Sequence, residues 1–263
     1  VRNWANEGRF EEWSNLGYEL MIITWENYDG QNPALGPPTY GNYHISSQFI
    51  SDMVELSSYL KGKFEGGLYF ALATEQSTYT ACRYDQTCQN RAQYSDVIDS
   101  TTIEYFSQLQ SNIIKAISNI SSILPYSYQG MSFGGWLVEF QQGVDFIKYF
   151  EPTIQTGNAI FFQSMMDNTM QENNGYGNPQ RIMKNCEFFS SYNKPIHLAH
   201  YMPDNQRTDV IASDMSYMAN QVYILNLSKY LTSFNFMRYS VLKDNQFNCL
   251  TDTQLFRNNL KGI

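Results

Sequence analysis

The stretch Phe133-Gly-Gly-Trp-Leu-Val-Glu139-Phe140 decides the fold that this sequence predicts. Two glycines precede a run of apolar and aromatic residues, and one carboxylate follows it. A short apolar run bounded by turn residues is typical of a strand covered on both faces. Such strands belong to parallel sheets, where ligands gather at the carboxyl ends. We therefore expect a strand over Phe133–Phe140, with Glu139 at a candidate site. The alternative is a strand-end Glu that faces solvent.

Five further stretches read as strands, and helical patterns lie between them. The strands are predicted over Tyr18–Trp25, Gly66–Ala73, Asn158–Met165, Lys194–Met202 and Phe234–Tyr239. One helix carries an apolar stripe from Ile103 to Ile120 and stops at Pro125. Another amphipathic helix is predicted over Asp209–Leu231. Strands that alternate with helices, without hairpin signals between them, predict a parallel sheet.

Chain length then favours a closed barrel over an open sheet. The 263 residues fit one TIM-like (β/α) barrel domain over residues 1–263, because such barrels form from about 250 residues. Val1 is not an initiator methionine, so we expect a processed or incomplete chain whose first barrel strand lies upstream. An open doubly wound sheet is the alternative. Its nucleotide-binding version needs a glycine-rich phosphate loop, and neither common pattern of that loop occurs.

Composition limits the kinds of partner. The net charge of -8 argues against nucleic acid, whose phosphates require a basic face. Only 16% of the residues are charged, against about 25% in an average soluble domain. A surface of uncharged polar and aromatic groups suits a secreted protein with a carbohydrate partner. The sequence contains no run of about 18 apolar residues, so no transmembrane segment is predicted. It predicts no cofactor.

Four cysteines fit an oxidising, extracellular location. Cys82 and Cys88 flank a short polar loop, and we expect them to form a local disulfide. Cys186 and Cys249 are isolated in sequence and pair only if the fold brings them together. Two sequons would accept glycans in a eukaryotic secretory host and make the protein a glycoprotein, namely Asn119-Ile-Ser121 and Asn226-Leu-Ser228.

Acidic side chains follow most of the predicted strands. They are Glu26, Asp29, Glu75, Glu139, Asp167 and Asp204, and the last strand supplies Arg238 instead. Glycoside hydrolysis needs two carboxyl groups on either side of the scissile bond. Aromatic rings that stack on sugars are available at the same ends, namely Trp25, Tyr28, Tyr201 and Tyr239. Core packing is the alternative role for each of these rings.

Two histidines raise the question of a metal site. His197 and His200 lie three residues apart on a predicted strand, so their side chains point to opposite faces. They therefore cannot chelate one ion together, and we expect no metal. His200 at the mouth of the barrel remains a candidate to bind a sugar hydroxyl or to tune a carboxylate.

Four short motifs carry a resemblance to a known family. They are Trp25-Glu26, Gly67-Leu68-Tyr69-Phe70, Gly135-Trp136 and Phe162-Gln163. In order and spacing they resemble glycoside-hydrolase-type (β/α)8 barrels, and most of all a bacterial family of glycosidase-like domains of unknown function. The resemblance runs from about Trp13 to Tyr239. It implies a Glu delivered at the end of one strand and a Gln with a following acid at the end of the next.

The sequence thus predicts a secreted glycosidase that acts on a poly- or oligosaccharide. Glu139 is the expected general acid/base, with Glu26 or Glu75 as its partner and Asp204 as the next candidate. The expected substrate-binding residues are Trp25, Tyr28, Gln163, Asp167, His200, Tyr201, Asp204 and Arg238. The alternative is a non-catalytic barrel that binds glycan or serves as a structural subunit of an extracellular assembly.

Overall fold

A computed structural model of the protein describes residues 2–24, 47–74, 103–203, 205–237, 239–243 and 249–261. The chain divides into two compact units. The first unit comprises Val1–Phe133 and Phe140–Ile160, and the second comprises Gly134–Glu139 and Phe161–Ile263. That residues 1–263 form one domain stays a prediction.

The first unit contains parallel strands connected by helices. In chain order its elements are α1 (Arg2–Asn6), α2 (Arg9–Asn15), β1 (Leu20–Ile23), α3 (Ser47–Leu60), β2 (Leu68–Leu72), α4 (Ile103–Ile123), β3 (Tyr128–Gly134), α5 (Gln141–Tyr149) and α6 (Glu151–Thr156). Strand β2 pairs in parallel with β1 on one side and with β3 on the other. A parallel pair requires a crossover between its strands, as the alternation in the sequence predicted.

The apolar stripe of α4 lies in the core of this unit. Its aliphatic members are fully buried at every predicted position that the structure describes, namely Leu109, Ile113, Ile117 and Ile120. Phe106, another member of the stripe, packs edge-to-face on Phe146 of α5, with ring centroids 5.5 Å apart. Side chains three or four residues apart share one face of a helix, so the spacing alone identified the buried face.

The second unit repeats the same architecture. Its elements are a 3₁₀ turn (Leu137–Glu139), β4 (Ile160–Ser164), α7 (Asn178–Ser190), β5 (Ile196–Tyr201), α8 (Thr208–Met218), α9 (Gln221–Leu227), β6 (Leu231–Phe236), α10 (Tyr239–Leu242) and α11 (Cys249–Lys261). Strands β5 and β6 pair in parallel. Every residue of β4 and of β5 is buried, as expected for strands covered on both faces.

The predicted helix over Asp209–Leu231 is wrong in one respect, because it is two helices. Helix α8 ends at Met218 and α9 begins at Gln221. Asn220 separates them, and its side chain accepts a hydrogen bond from the backbone N–H of Val222 at 2.9 Å. An Asn at this position caps a new helix better than it continues an old one.

The predicted strand over Phe133–Phe140 is also wrong. The strand lies earlier, at Tyr128–Gly134, and Leu137–Glu139 is a 3₁₀ turn. Polar residues and glycines make up much of the true strand, so hydrophobicity does not mark it. Gln129 is 1% exposed, and its side chain accepts a hydrogen bond from Ser127 at 3.3 Å. The burial of this polar side chain is thus compensated locally.

Gly135 fixes the position of the turn that carries Glu139. A Cβ atom on Gly135 would lie 2.0 Å from the backbone carbonyl oxygen of Gln163 in β4. The carbonyl of Gly135 accepts a hydrogen bond from the side chain of Asn185 on α7 at 2.7 Å. The turn is therefore held against the backbone of β4 and against α7, and only glycine permits this approach.

Two of the four cysteines lie within the described residues. Cys186 and Cys249 are buried thiols that form no disulfide, and Cys249 Sγ donates to the Thr208 carbonyl at 2.9 Å. The predicted Cys82–Cys88 disulfide lies outside the described residues and stays a prediction. Among the helices that the structure describes, none is long and apolar enough to cross a membrane.

We predict that Gly135→Ala lowers the free energy of unfolding by about 3 kcal/mol, the upper end of typical overpacking effects, because a backbone atom cannot rotate away. Gly62→Ala is the control. Gly62 has a φ of +74°, and beyond its chain neighbours no described residue has an atom within 4 Å of the position that an added Cβ would take. Only the left-handed backbone penalty of about 1–2 kcal/mol therefore applies. Urea denaturation of both variants checks this. Equal losses would contradict the proposed backbone contact.

Candidate active site

Glu139 accepts three hydrogen bonds in the second unit. Arg181 Nε lies 2.6 Å from Oε1 and Nη2 lies 3.0 Å from Oε2, which makes the ion pair bidentate. The hydroxyl of Tyr176 donates to Oε1 at 2.8 Å. The side chains of Glu139 and Arg181 are only 16% and 11% exposed. This pair is therefore shielded from most of the solvent that weakens surface ion pairs.

The start of α7 supplies both partners of Glu139. Gly177 precedes the helix, and its N–H donates to the Gln180 side chain at 2.9 Å. Tyr176 lies just before this start, and Arg181 lies in the first turn. Pro179 occupies an early helical position, where its missing N–H costs nothing. A sharply defined helix start thus presents a hydroxyl and a guanidinium to one carboxylate.

The Tyr176 hydroxyl is a donor at all ordinary pH values. Burial raises the pKa of Tyr176 above its usual value, and the hydrogen bond to Glu139 raises it further. Since the phenol keeps its proton, its hydrogen bond to the carboxylate persists at alkaline pH. All three contacts of Glu139 are therefore donations to an oxygen acceptor.

A second carboxyl group, Asp214 on α8, lies in the interior. It is fully buried, and its Oδ2 accepts from the Tyr201 hydroxyl at 2.6 Å and from Asn178 Nδ2 at 2.8 Å. Burial raises the pKa of Asp214 to about 7, although both hydrogen bonds act in the opposite direction. Burial also raises the pKa of Tyr201 well above its usual value. The phenol therefore remains the donor in this contact.

Asn178 connects Asp214 to the end of β4. Its Oδ1 accepts from Ser164 Oγ at 2.7 Å and from the Met166 N–H at 2.9 Å. Its Nδ2 donates to the Met166 carbonyl at 3.0 Å and to Asp214. The amide thereby uses both donors and both acceptor positions. Asn178 is also the first residue of α7, so this buried network includes the start of the helix that carries Arg181.

Charged side chains fasten the loops that follow β4 and β5. The Asp167 carboxylate accepts from the N–H of Asn205 at 2.9 Å and from the Asn205 side chain. Arg207 donates to the Asp167 carbonyl at 3.0 Å and forms a bidentate pair with Glu172 at 2.9 and 3.0 Å. A further pair with Asp209 completes the cluster, and hydrogen bonds to Asp209 and Glu172 raise the pKa of Arg207.

Three predicted substrate-binding residues lie in the interior. Gln163, His200 and Tyr201 each have no solvent-exposed surface in this structure. His200 Nε2 lies 3.3 Å from Met165 Sδ, and His197 Nδ1 lies 2.8 Å from Ser233 Oγ. Burial lowers the pKa of both histidines to about 4, so both are neutral near pH 7. The role of Gln163, His200 and Tyr201 in binding substrate stays a prediction.

The remaining predicted site residues lie outside the described ranges. They are Trp25, Glu26, Tyr28, Glu75, Asp204 and Arg238. Within the ranges that the structure describes, no group of three or more His, Cys, Asp or Glu side chains is placed to hold a metal ion.

Sequence reasoning missed Tyr176, Asn178, Arg181 and Asp214. One signal was available for Asp214, since it shares the helical spacing of the buried residues Val210, Ile211, Met215 and Met218. An acid on the apolar face of a helix indicates a buried polar contact. For Arg181 and Tyr176, the available signal was the pattern Gly-Asn-Pro, which indicates the start of a helix. This pattern does not predict that either side chain contacts Glu139.

Comparison with solved structures identifies the fold. The chain is similar to native xylanase 10B from Thermotoga maritima, with a TM-score of 0.54 and 12% identity over 99% of this chain and 82% of that one. It is similar to a GH10 structure from Paenibacillus barcinonensis, with a TM-score of 0.54 and 11% identity over 94% and 74% of the two chains. Bee venom hyaluronidase gives a TM-score of 0.50 and 13% identity over 94% and 85%.

These structures are glycoside hydrolase barrels, so the predicted TIM-like α/β barrel fold is confirmed. At such low identities the likeness shows the fold alone. No protein-family model matches the sequence, and no curated protein matches it.

We predict that removing one partner of the Glu139–Arg181 pair is more destabilising than removing both. Arg181→Met leaves a largely buried carboxylate uncompensated and should lower the free energy of unfolding by about 3 kcal/mol. The double variant Arg181→Met/Glu139→Leu should recover most of that loss. Urea denaturation of the single and double variants measures the coupling. Additive losses would show that the two side chains do not interact.

We also predict a pH-dependent difference between the wild type and Asp214→Asn. The ordinary pKa of an Asp is 3.8, and that of Asp214 in the folded state is about 7. The folded state therefore binds the extra proton, and the resulting stability is present below about pH 4 and lost as pH rises to 7. Relative to Asp214→Asn, the wild type should lose about 1.4 kcal/mol per pH unit over this window.

The difference between the two proteins isolates Asp214. His197 and His200 titrate in the opposite sense, but they do so in both proteins and cancel. Denaturant midpoints at pH 4.5, 5.5, 6.5 and 7.5, about one unit apart, give the slope. Parallel stability curves across that range would contradict the assignment.

Proposed function

We propose that the protein is a glycosidase-like barrel that acts on a poly- or oligosaccharide through Glu139. The observation that carries this proposal is the fixed carboxylate of Glu139, located just past the carboxyl end of β3. In barrels of this type, active sites lie at the carboxyl ends of the strands. Arg181 and Tyr176 restrict both oxygens of Glu139 without burying the side chain completely.

The contacts of Glu139 favour the base side of the predicted acid/base role. All three hydrogen bonds are donated to the carboxylate, so the arrangement supplies an acceptor rather than a proton donor. In paired carboxyl sites, the group in a polar, hydrogen-bonded setting serves as base or nucleophile. The proton donor is then the second carboxyl group. Glu26 and Glu75, with Asp204 next, remain the predicted partners and lie outside the described residues.

Charge favours a neutral polysaccharide as the substrate. The net charge of -8 repels an anionic polymer at long range. Among proteins of similar fold, one is named as a xylanase and another as a hyaluronidase. An uncharged xylan-type chain therefore suits this protein better than anionic hyaluronan. Secretion, which would give access to such a polymer, is part of the same proposal.

A second function, glycan binding without cleavage, is favoured by one observation. The Glu139–Arg181 pair has both carboxylate oxygens engaged and only 16% of the Glu139 side chain exposed. A structural ion pair has the same appearance. A barrel that lost its catalytic partner would keep such a pair and could still bind glycan or join an extracellular assembly.

Digestion of xylan and hyaluronan, followed by release of reducing ends, tests the proposal. Glu139→Gln keeps the shape of the side chain and removes its charge, so the rate should fall by about 10²–10⁴. Glu187→Gln, an exposed change on α7, is the matched control and should keep the parental rate.

The outcomes separate the two functions. Parental cleavage by Glu139→Gln would overturn the assignment of Glu139. Equal xylan binding by the wild type and Glu139→Gln, with cleavage by neither, would establish the binding function instead. Binding can be measured by affinity electrophoresis in gels that contain the polysaccharide.

A further inference from the structure

We propose that Asp214 is a positioning residue for Glu139, acting through Asn178 to hold Tyr176 and Arg181 against the Glu139 carboxylate. The catalytic meaning of this inference rests on the proposed function. Its structural content does not, because the position of the Glu139 carboxylate can be measured without substrate.

The first link joins α8 to the start of α7. Asp214 Oδ2 accepts from Asn178 Nδ2 at 2.8 Å, and the Tyr201 hydroxyl donates to the same oxygen at 2.6 Å. All three residues are fully buried. Water does not compete for hydrogen bonds in such surroundings, so these bonds restrict geometry more strongly than exposed ones.

The second link joins Asn178 to Glu139. Asn178 lies two residues after Tyr176 and three residues before Arg181, and these are the two residues that donate to Glu139. A displacement of Asn178 therefore moves both donors. Asn178 also anchors the end of β4 through Ser164 and Met166, so the amide sets the position of α7 relative to the strand.

A role in stability alone explains Asp214 poorly. The other buried residues of α8 are apolar, namely Val210, Ile211, Met215 and Met218. A buried carboxyl is costly, and well-packed apolar side chains often replace buried polar groups without loss. Among the residues that the structure describes, none forms a hydrogen bond with Asp214 Oδ1. Oδ2 of Asp214 thus accepts two hydrogen bonds while Oδ1 is buried without one, and this arrangement fits a role in positioning Asn178.

The oxygen that matters is an acceptor in either protonation state. A neutral Asp214 that carries its proton on Oδ1 still offers Oδ2 to Tyr201 and Asn178. An amide oxygen at the same place accepts the same two hydrogen bonds. Asp214→Asn should therefore preserve the position of Glu139, whereas Asp214→Ala removes the acceptor altogether.

The experiment is ¹³C NMR of the Glu139 side-chain carboxyl in full-length protein labelled at Glu carboxyl carbons, assigned with Glu139→Gln. In Asp214→Ala the Glu139 resonance should move toward the position of solvated Glu or broaden. In Asp214→Asn it should stay in place. Ser233→Ala is the matched control, because it removes a contact to buried His197 in the same unit and should leave the resonance unchanged.

An unchanged Glu139 resonance in folded Asp214→Ala would overturn the proposal. A shift in Asp214→Asn would overturn it as well, since charge rather than the acceptor would then matter, and so would an equal shift in Ser233→Ala. If Asp214→Ala does not fold, Asn178→Asp decides, because it keeps the shape and removes the amide nitrogen that donates to Asp214 and to the Met166 carbonyl. The resonance should move in that variant, and an unchanged resonance there would refute the link.

Kinetics then separates this proposal from the proposed function. If the protein cleaves xylan, Asp214→Ala should lower kcat by up to about 100-fold with a smaller change in KM, and Asp214→Asn should restore kcat. If the protein cleaves neither polymer, the proposed function fails, and the carboxyl resonance alone decides whether Asp214 positions Glu139.

Discussion

The close approach of Gly135 to the backbone of β4 is the constraint on which the candidate site depends. Because a Cβ at this position would lie 2.0 Å from the Gln163 carbonyl oxygen, the chain after β3 turns directly across β4. The turn then has no room to extend as a strand. It closes as a 3₁₀ turn, in which the Glu139 N–H donates to the Trp136 carbonyl at 3.0 Å. Glu139 thereby comes within reach of α7.

Glu139 and Asp214, both close to the start of α7, are stabilised away from water in different ways. A carboxylate removed from water needs either a cation or a proton. Glu139 receives the guanidinium of Arg181 and the hydroxyl of Tyr176 and retains some exposure to solvent. The donors that the described residues supply to Asp214 are neutral, and its burial favours the protonated form and raises its pKa to about 7. Tyr176 donates to Glu139, and Asn178, two residues later, donates to Asp214. The start of α7 therefore connects the two environments.

The sequence predicted the helices and strands that have a periodic apolar pattern. It did not predict features that depend on contacts between residues far apart in the chain. The α4 stripe and the buried strands β4 and β5 were correctly placed, because apolar spacing reports which face is covered. The prediction of strand β3 was several residues too late, because this buried strand contains Gln129 and other polar residues and so has no apolar pattern. Glu139 became a candidate from its position after an apolar run, although that run is a turn, and its role stays a prediction. Its partner Arg181 lies 42 residues away, and no local pattern specifies such a pair.

The distribution of polar burial argues for a site rather than a core. A helix start that served packing alone would need neither a bidentate ion pair nor an inward-facing Asn, since apolar residues of similar volume stabilise at least as well. Here the end of β4, the start of α7 and the middle of α8 each contribute a fully buried polar side chain, namely Ser164, Asn178 and Asp214. Their hydrogen bonds run in sequence toward the two donors of Glu139. If Glu139 reacts as we propose, these individually costly polar groups have a function, because a displacement of about 1 Å at a reacting group can cost about 100-fold in rate.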